Sequence, residues 1–148
     1  MPLKQLDTLH RYEQDKEKKA AQALQTAEFE YQQNIERLNS VSEYRLEYMK
    51  RLNERSMVGI DSATFSHFHA FIAKLDNAAQ QVDIAITQSK AIVEQSKQQW
   101  FAQRQKIQAV ELLRDKKRQA LVIIANKQEQ KMFDEIATQQ FVRQKMQR

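Results

Sequence analysis

The stretch FSHFHAFIAKLDNAAQQVDIAITQSKAIVEQSKQQWFAQRQKIQAVELLRDKKRQALVII, residues 65–124, carries one seven-residue repeat without a shift in register. One row of the repeat is Phe65, Ile72, Ala79, Ile86, Val93, Trp100, Ile107, Arg114 and Leu121. The other is Phe68, Leu75, Val82, Ser89, Ser96, Gln103, Val110, Lys117 and Ile124. A sustained apolar period of 3.5 residues keeps a narrow stripe facing one partner, so these rows are the a and d positions of a long coiled-coil helix. The first row is apolar from Phe65 to Ile107. The second carries Ser89, Ser96 and Gln103 in succession, which predicts a weaker seam in its middle than near Phe65.

Working outward, residues 3 to about 55 read as a first helix. Leu24, Tyr31, Leu38, Arg45 and Leu52 form one row; Ala20, Ala27, Asn34, Val41 and Tyr48 form the other. The register is clear after Leu24 and weak before it, where Arg11 to Lys19 is nearly all polar. Pro2 sits at the first turn, where its missing N–H costs nothing. The one strong interruption is Ser56-Met57-Val58-Gly59-Ile60-Asp61-Ser62, which holds the single glycine of the chain. Glycine just past a helical pattern is a C-terminal stop, and Asp61 or Ser62 supplies an N-cap for the second helix. A short connection makes neighbouring helices antiparallel. The expected fold is therefore all-α: an elongated, antiparallel two-helix coiled-coil hairpin in a single unit. Its helices span about 3–55 and 62–140, its turn about 56–61, and 141–148 is a tail. The second helix is the longer. Residue 3 then lies opposite roughly residue 115, and the paired stem is on the order of 80 Å long. Residues after about 118 have no intrachain partner, yet Leu121, Ile124, Phe133, Ile136 and Phe141 keep an amphipathic pattern. They read as a frayed tail or as a helix completed by another protein.

Composition agrees with long helices. The 148 residues include one Gly, one Pro and no Cys, which leaves little turn chemistry and rules out disulfides and thiolate metal sites. The formal net charge of +5 permits an acidic protein, an anionic membrane or nucleic acid and selects none of them. The longest apolar run, Ala120 to Ala125, is far below a membrane span, and no secretory leader pattern opens the chain. A soluble intracellular protein is expected.

No catalytic constellation appears, so no enzyme, cofactor or metal is expected. One glycine cannot build a phosphate loop, and there is no cysteine nucleophile. In Ser66-His67-Phe68-His69 the two histidines are two apart on a helix and point to nearly opposite sides, so they cannot grip one ion. The acidic residues are interspersed with Lys and Arg, as on solvated helix faces.

Two features exceed what a two-helix seam needs. Near the turn, Val41, Tyr44, Leu46, Tyr48 and Met49 on one helix and Phe68, Phe71, Ile72, Leu75, Ala78 and Ala79 on the other outnumber about two apolar positions per heptad. The stripes Val41, Tyr44, Tyr48 and Phe71, Leu75, Ala78, Val82 follow the 3.6 period partly off the seam, as a helix face does that meets a second partner. A thicker local core or a third short helix folding back would give the same excess. Between Arg104 and Arg118 six basic residues, Arg104, Lys106, Arg114, Lys116, Lys117 and Arg118, stand against Glu111 and Asp115. Nucleic-acid binders interleave aromatics with such basics, and only Trp100 and Phe101 are near. An acidic protein surface fits better.

The segments Tyr44-Arg-Leu-Glu-Tyr48, Gly59-Ile60, Phe71-Ile72-Ala-Lys-Leu75 and Glu129-Gln130-Lys131-Met132-Phe133-Asp134-Glu135, in this order and spacing, resemble the flagellar export protein FliJ family. The resemblance covers nearly the whole chain. It implies a coiled coil similar to the central stalk of rotary ATPases, whose stem docks in the export ATPase hexamer. It also implies a face near the turn that contacts the cytoplasmic domain of the membrane-embedded export gate protein, and a role in handing over export chaperones. Such a protein would be cytoplasmic and peripherally associated with the inner face of the membrane through the export apparatus, with no direct membrane insertion and no nucleic acid. Carried over by position, the gate-binding residues would be Arg37, Val41, Tyr44, Tyr48, Phe71, Leu75, Ala78 and Val82. The ATPase ring is assigned, from charge and from the place of the basic run on the stem and not by position, to the six basic residues Arg104, Lys106, Arg114, Lys116, Lys117 and Arg118. Val41, Tyr48, Leu75 and Val82 also belong to the seam rows, so they have two competing placements. The equivalent stalk of a virulence secretion system, a basic coiled coil binding nucleic acid and a passive spacer are the alternative readings.

Overall fold

A computed structural model describes residues 1–147. Two α-helices account for nearly all of them: α1, Leu3–Val58, and α2, Ser62–Met146. Among the described residues there is no strand. The second helix is the longer, and the two pack together, giving the two-helix all-α class that the heptad rows predict. α2 runs through Phe141 to Met146, past the expected end near residue 140; Arg148, the last residue of the expected tail, lies outside the described residues.

Each helix end has an identifiable cause. At the start of α1 the Pro2 carbonyl accepts from the N–H groups of Gln5 and Leu6 at 3.1 and 3.2 Å. At its end Gly59 adopts φ 106° and donates its N–H to the Arg55 carbonyl at 3.0 Å, closing the helix with a left-handed residue. Asp61 then caps α2. Its carboxylate accepts from the Thr64 N–H at 3.3 Å and its carbonyl from the Phe65 N–H at 3.0 Å. Hydrogen bonding by Thr64 holds the Asp61 carboxyl below the usual carboxylate value. A depressed pKa contributes stability above the ordinary value and loses it as pH falls through the lowered one. Acidification below the carboxylate range is thus expected to fray the first turn of α2, and Asp61→Asn, which still caps, should show a flatter helicity profile against pH.

A Cβ at Gly59 would meet nothing within 4 Å. The cost of a side chain there is therefore backbone strain alone. Gly59→Ala is expected to destabilise the protein by about 1 kcal/mol, with Asn costing less, measured by urea unfolding.

The chain divides into two compact units, residues 18–102 and residues 1–17 with 103–148. In the first, the core beside the turn is Leu52, Phe68 and Ile72, with Tyr48 and Ile60 packed against it. Ala27, Asn34, Ser89 and Ser96 are the other buried positions, and all four lie on the predicted rows. Phe65 does not join this core. It is 41% exposed and packs its ring against His69 at 4.4 Å, so burial on α2 begins at Phe68. Among the described residues no side chain is fully buried, as expected where each helix has one neighbour.

In the second unit Leu6 and Val110 are buried, together with His10 and Gln103. The polar stretch of α1 is a continuous helix here, and its inward residues are partnered. His10 Nε2 lies 3.0 Å from Glu111 Oε1, and Gln103 Nε2 donates to the Glu13 carbonyl at 2.9 Å and to the Glu13 carboxylate. The weak register before Leu24 is thus a seam built from polar pairs, which specify alignment more than they add stability. Every described residue after Arg118 is exposed.

Candidate interaction surfaces

Beside the turn, the seam rows of α1 bring Tyr48 inward, while Tyr44, one helical turn earlier, stays outside. Tyr48 packs on Phe68 and Phe71 with ring centroids 4.9 and 4.5 Å apart. Tyr44 stacks on Tyr48 at 6.3 Å and meets Phe71 edge-on at 6.0 Å, and it remains 49% exposed. Such tilted and edge-on pairs suit the aromatic quadrupole and fix the rings in place. The result is a layered arrangement: Leu52, Phe68 and Ile72 are core, Tyr48 and Phe71 cover them, and Tyr44 lies on top facing solvent.

The other residues of the carried-over stripe continue along this unit. Val41, Leu75 and Val82, the seam-row members of the stripe, are half-buried, as is Ala78 beside them, so these residues lie at the margin of the seam. Arg37, Val41 and Val82 line one shallow groove with Gln33, Glu36 and Ser40. Arg37 is exposed, and its Nη1 donates to Asn34 Oδ1 at 3.2 Å. Asn34 Nδ2 in turn donates to Ser89 Oγ at 3.3 Å. The buried amide therefore holds one terminal nitrogen of the Arg37 guanidinium. Arg45, a seam-row residue, turns outward to pair with Asp76. That pair is exposed on both sides and contributes little to stability.

The six basic residues between Arg104 and Arg118 do not form one open patch. Arg114 is half-buried and reaches Asp7 at 3.7 Å; Arg118 reaches the same carboxylate at 3.8 Å. Arg114 Nε is buried without a hydrogen-bond partner. Arg104 lines a small groove with Gln14, Glu17, Ile107, Gln108 and Glu111. Lys106 and Lys116 are exposed, and Lys117 is half-buried on the seam. Asp7 neutralises part of the charge that the sequence assigns to this surface.

The family model described as Flagellar FliJ protein matches residues 3–146 of the chain. The chain belongs to the flagellar FliJ protein family. Two curated members, each named Flagellar FliJ protein, are similar to it over 106 residues, which is 72% of this chain and 72% of each relative: one from Salmonella typhi at 31% identity and one from Escherichia coli (strain K12) at 29%. The resemblance read from the turn-proximal and C-terminal motifs is thereby established as membership.

For this FliJ family member the polar half of the seam is what sequence reading misses. By pattern alone His10, Glu13 and Glu111 read as isolated or solvated groups, because charges on helix faces usually are. The spacing of His10 and Glu13 from Leu3 and Leu6, at alternating intervals of three and four, is the signal that places them inward, whereas Glu111 flanks the buried Val110 on α2. Among the described residues no group of three or more His, Cys, Asp or Glu side chains could hold a metal ion, and no helix is long and apolar enough to cross a membrane.

Proposed function

We propose that this family member is a non-catalytic stalk and adaptor of the flagellar protein export apparatus, working at the cytoplasmic face of the membrane. In this reading Arg104, Lys106, Arg114, Lys116, Lys117 and Arg118 meet the export ATPase hexamer. The face of Arg37, Val41, Tyr44, Tyr48, Phe71, Leu75, Ala78 and Val82 meets the cytoplasmic domain of the export gate protein, and the chain also hands over export chaperones. The observation that carries the reading is the aromatic layer beside the turn. Tyr44 is half exposed above a core that is complete without it, and aromatic side chains held in this way are what interfaces use as anchors. A passive spacer would have no need of them.

The ring contact is tested by adding the purified protein to the cognate export ATPase and following ATP hydrolysis against salt. The expected result is stimulation that declines as salt rises, and that falls about tenfold when Lys106, Lys116 and Lys117 become Glu. Stimulation indifferent to both salt and charge reversal would reject the basic surface as the point of contact.

A further inference from the structure

Along α2 an 11-residue pattern repeats: Ala109, Leu112, Leu113 and Lys116 recur as Ala120, Ile123, Ile124 and Lys127. An 11-residue period is about 3.67 residues per turn, so the stripe stays on one side of a nearly straight helix, whereas the heptad seam drifts. All eight residues are exposed, with Leu112 at 57%, Leu113 at 55%, Ile123 at 54% and Ile124 at 52%. At about 100° per residue the acidic neighbours lie elsewhere: Glu111 on the opposite side, bound to His10, and Asp115 about 110° away. Neither Lys116 nor Lys127 has an ion pair or hydrogen bond among the described residues, while Arg114 and Arg118 close by both reach Asp7.

We infer that this face of α2 is a docking site for an acidic amphipathic helix of another protein, laid along residues 109–127. The stripe is about 27 Å long, enough for five helical turns. Alanines alternating with leucine or isoleucine pairs give the ridges and hollows into which a second helix packs. The two unpaired lysines call for Glu or Asp beside the partner's apolar row. A second copy of this chain would bring lysine against lysine in parallel register and lysine against Ala109 or Ala120 in antiparallel register, so neither supplies the acidic flank. The site shares Lys116 with the proposed ring contact and goes beyond it in the apolar stripe and in Lys127, which that reading does not use.

The probe is a fluorescently labelled synthetic helix of about 20 residues with leucines at the 11-residue spacing and glutamate on both flanks, titrated with the full chain. Saturable binding that weakens with salt is expected. Leu113→Glu with Ile124→Glu should weaken it about tenfold or more while helicity stays unchanged, because both side chains are exposed. Lys116→Glu with Lys127→Glu should reverse the preference toward a lysine-flanked version of the same peptide. No binding, equal binding of both peptides by the wild type, or undiminished affinity in the Leu113 and Ile124 variant would each overturn the proposal. Binding to phosphatidylglycerol vesicles without binding to the peptide would assign the face to a membrane instead, and self-association through the stripe would assign it to a second copy. ATPase stimulation, measured on the Leu113 and Ile124 variant, which leaves all six basic residues of the ring contact intact, separates failure here from failure of the stalk reading.

Discussion

Phe68→Ala is expected to lower the unfolding free energy by about 3 kcal/mol, a large effect for a single truncation to alanine. Phe68 is 8% exposed, forms the turn-proximal core with Leu52 and Ile72, and carries the Tyr48 ring above it at 4.9 Å. Truncating a buried phenylalanine removes its transfer free energy and leaves a cavity that two helices can only partly close. It also removes the ring beneath Arg55, whose guanidinium carbon lies 5.5 Å from the Phe68 centroid. Denaturant unfolding followed by circular dichroism measures this loss. A change below about 1 kcal/mol would mean that the core beside the turn is far looser than its burial implies.

The second large effect is on binding. Tyr44→Ala combined with Phe71→Ala is expected to weaken association with the cytoplasmic domain of the export gate by about 2 kcal/mol, roughly thirtyfold in Kd. Tyr44→Ala alone should leave helicity and melting near those of the wild type, because the ring sits above the core. Tyr48→Ala should disturb both properties together. Its ring packs on Phe68 and Phe71 below and stacks with Tyr44 above, so truncation undermines the surface and the core at once. The contrast between neighbouring tyrosines separates a binding face from a packed end of the hairpin. Equal losses of stability in Tyr44→Ala and Tyr48→Ala would mean that both are core.

Much of this fold is legible in sequence because coiled-coil burial depends on spacing alone. The rows through Phe68, Ile72, Ser89, Ser96, Gln103 and Val110 supply every buried residue of α2, and Gly59 marks the turn since no other residue in the chain can take a positive φ without strain. Legibility fails where chemistry departs from apolar periodicity. His10, Glu13 and Glu111 occupy or flank inward positions, and their place depends on partners about 90 to 100 residues away in the chain, which a local window cannot detect. The extent of α2 is hidden for a related reason. After Arg118 the helix has no neighbour among the described residues, so its continuation rests on helix-forming Gln, Lys, Glu and Ala and not on a buried stripe. On the candidate face, sequence names side chains without ranking them: Tyr44 and Tyr48 look equivalent one turn apart, and only the ring contacts distinguish the outer from the inner.

The claim that the aromatic layer beside the turn is a partner surface is tested most directly by site-specific photocrosslinking. Phe29 provides the control, because it is another exposed aromatic of α1 in the same unit, 64% exposed against 49% for Tyr44, and it lies outside the stripe. With p-benzoylphenylalanine at position 44, irradiation in the presence of the gate's cytoplasmic domain should yield a covalent adduct; with the same group at position 29 it should yield none. Adducts at position 29 and not at 44, or at neither position when binding is saturated, would contradict the assignment of this layer as the contact face.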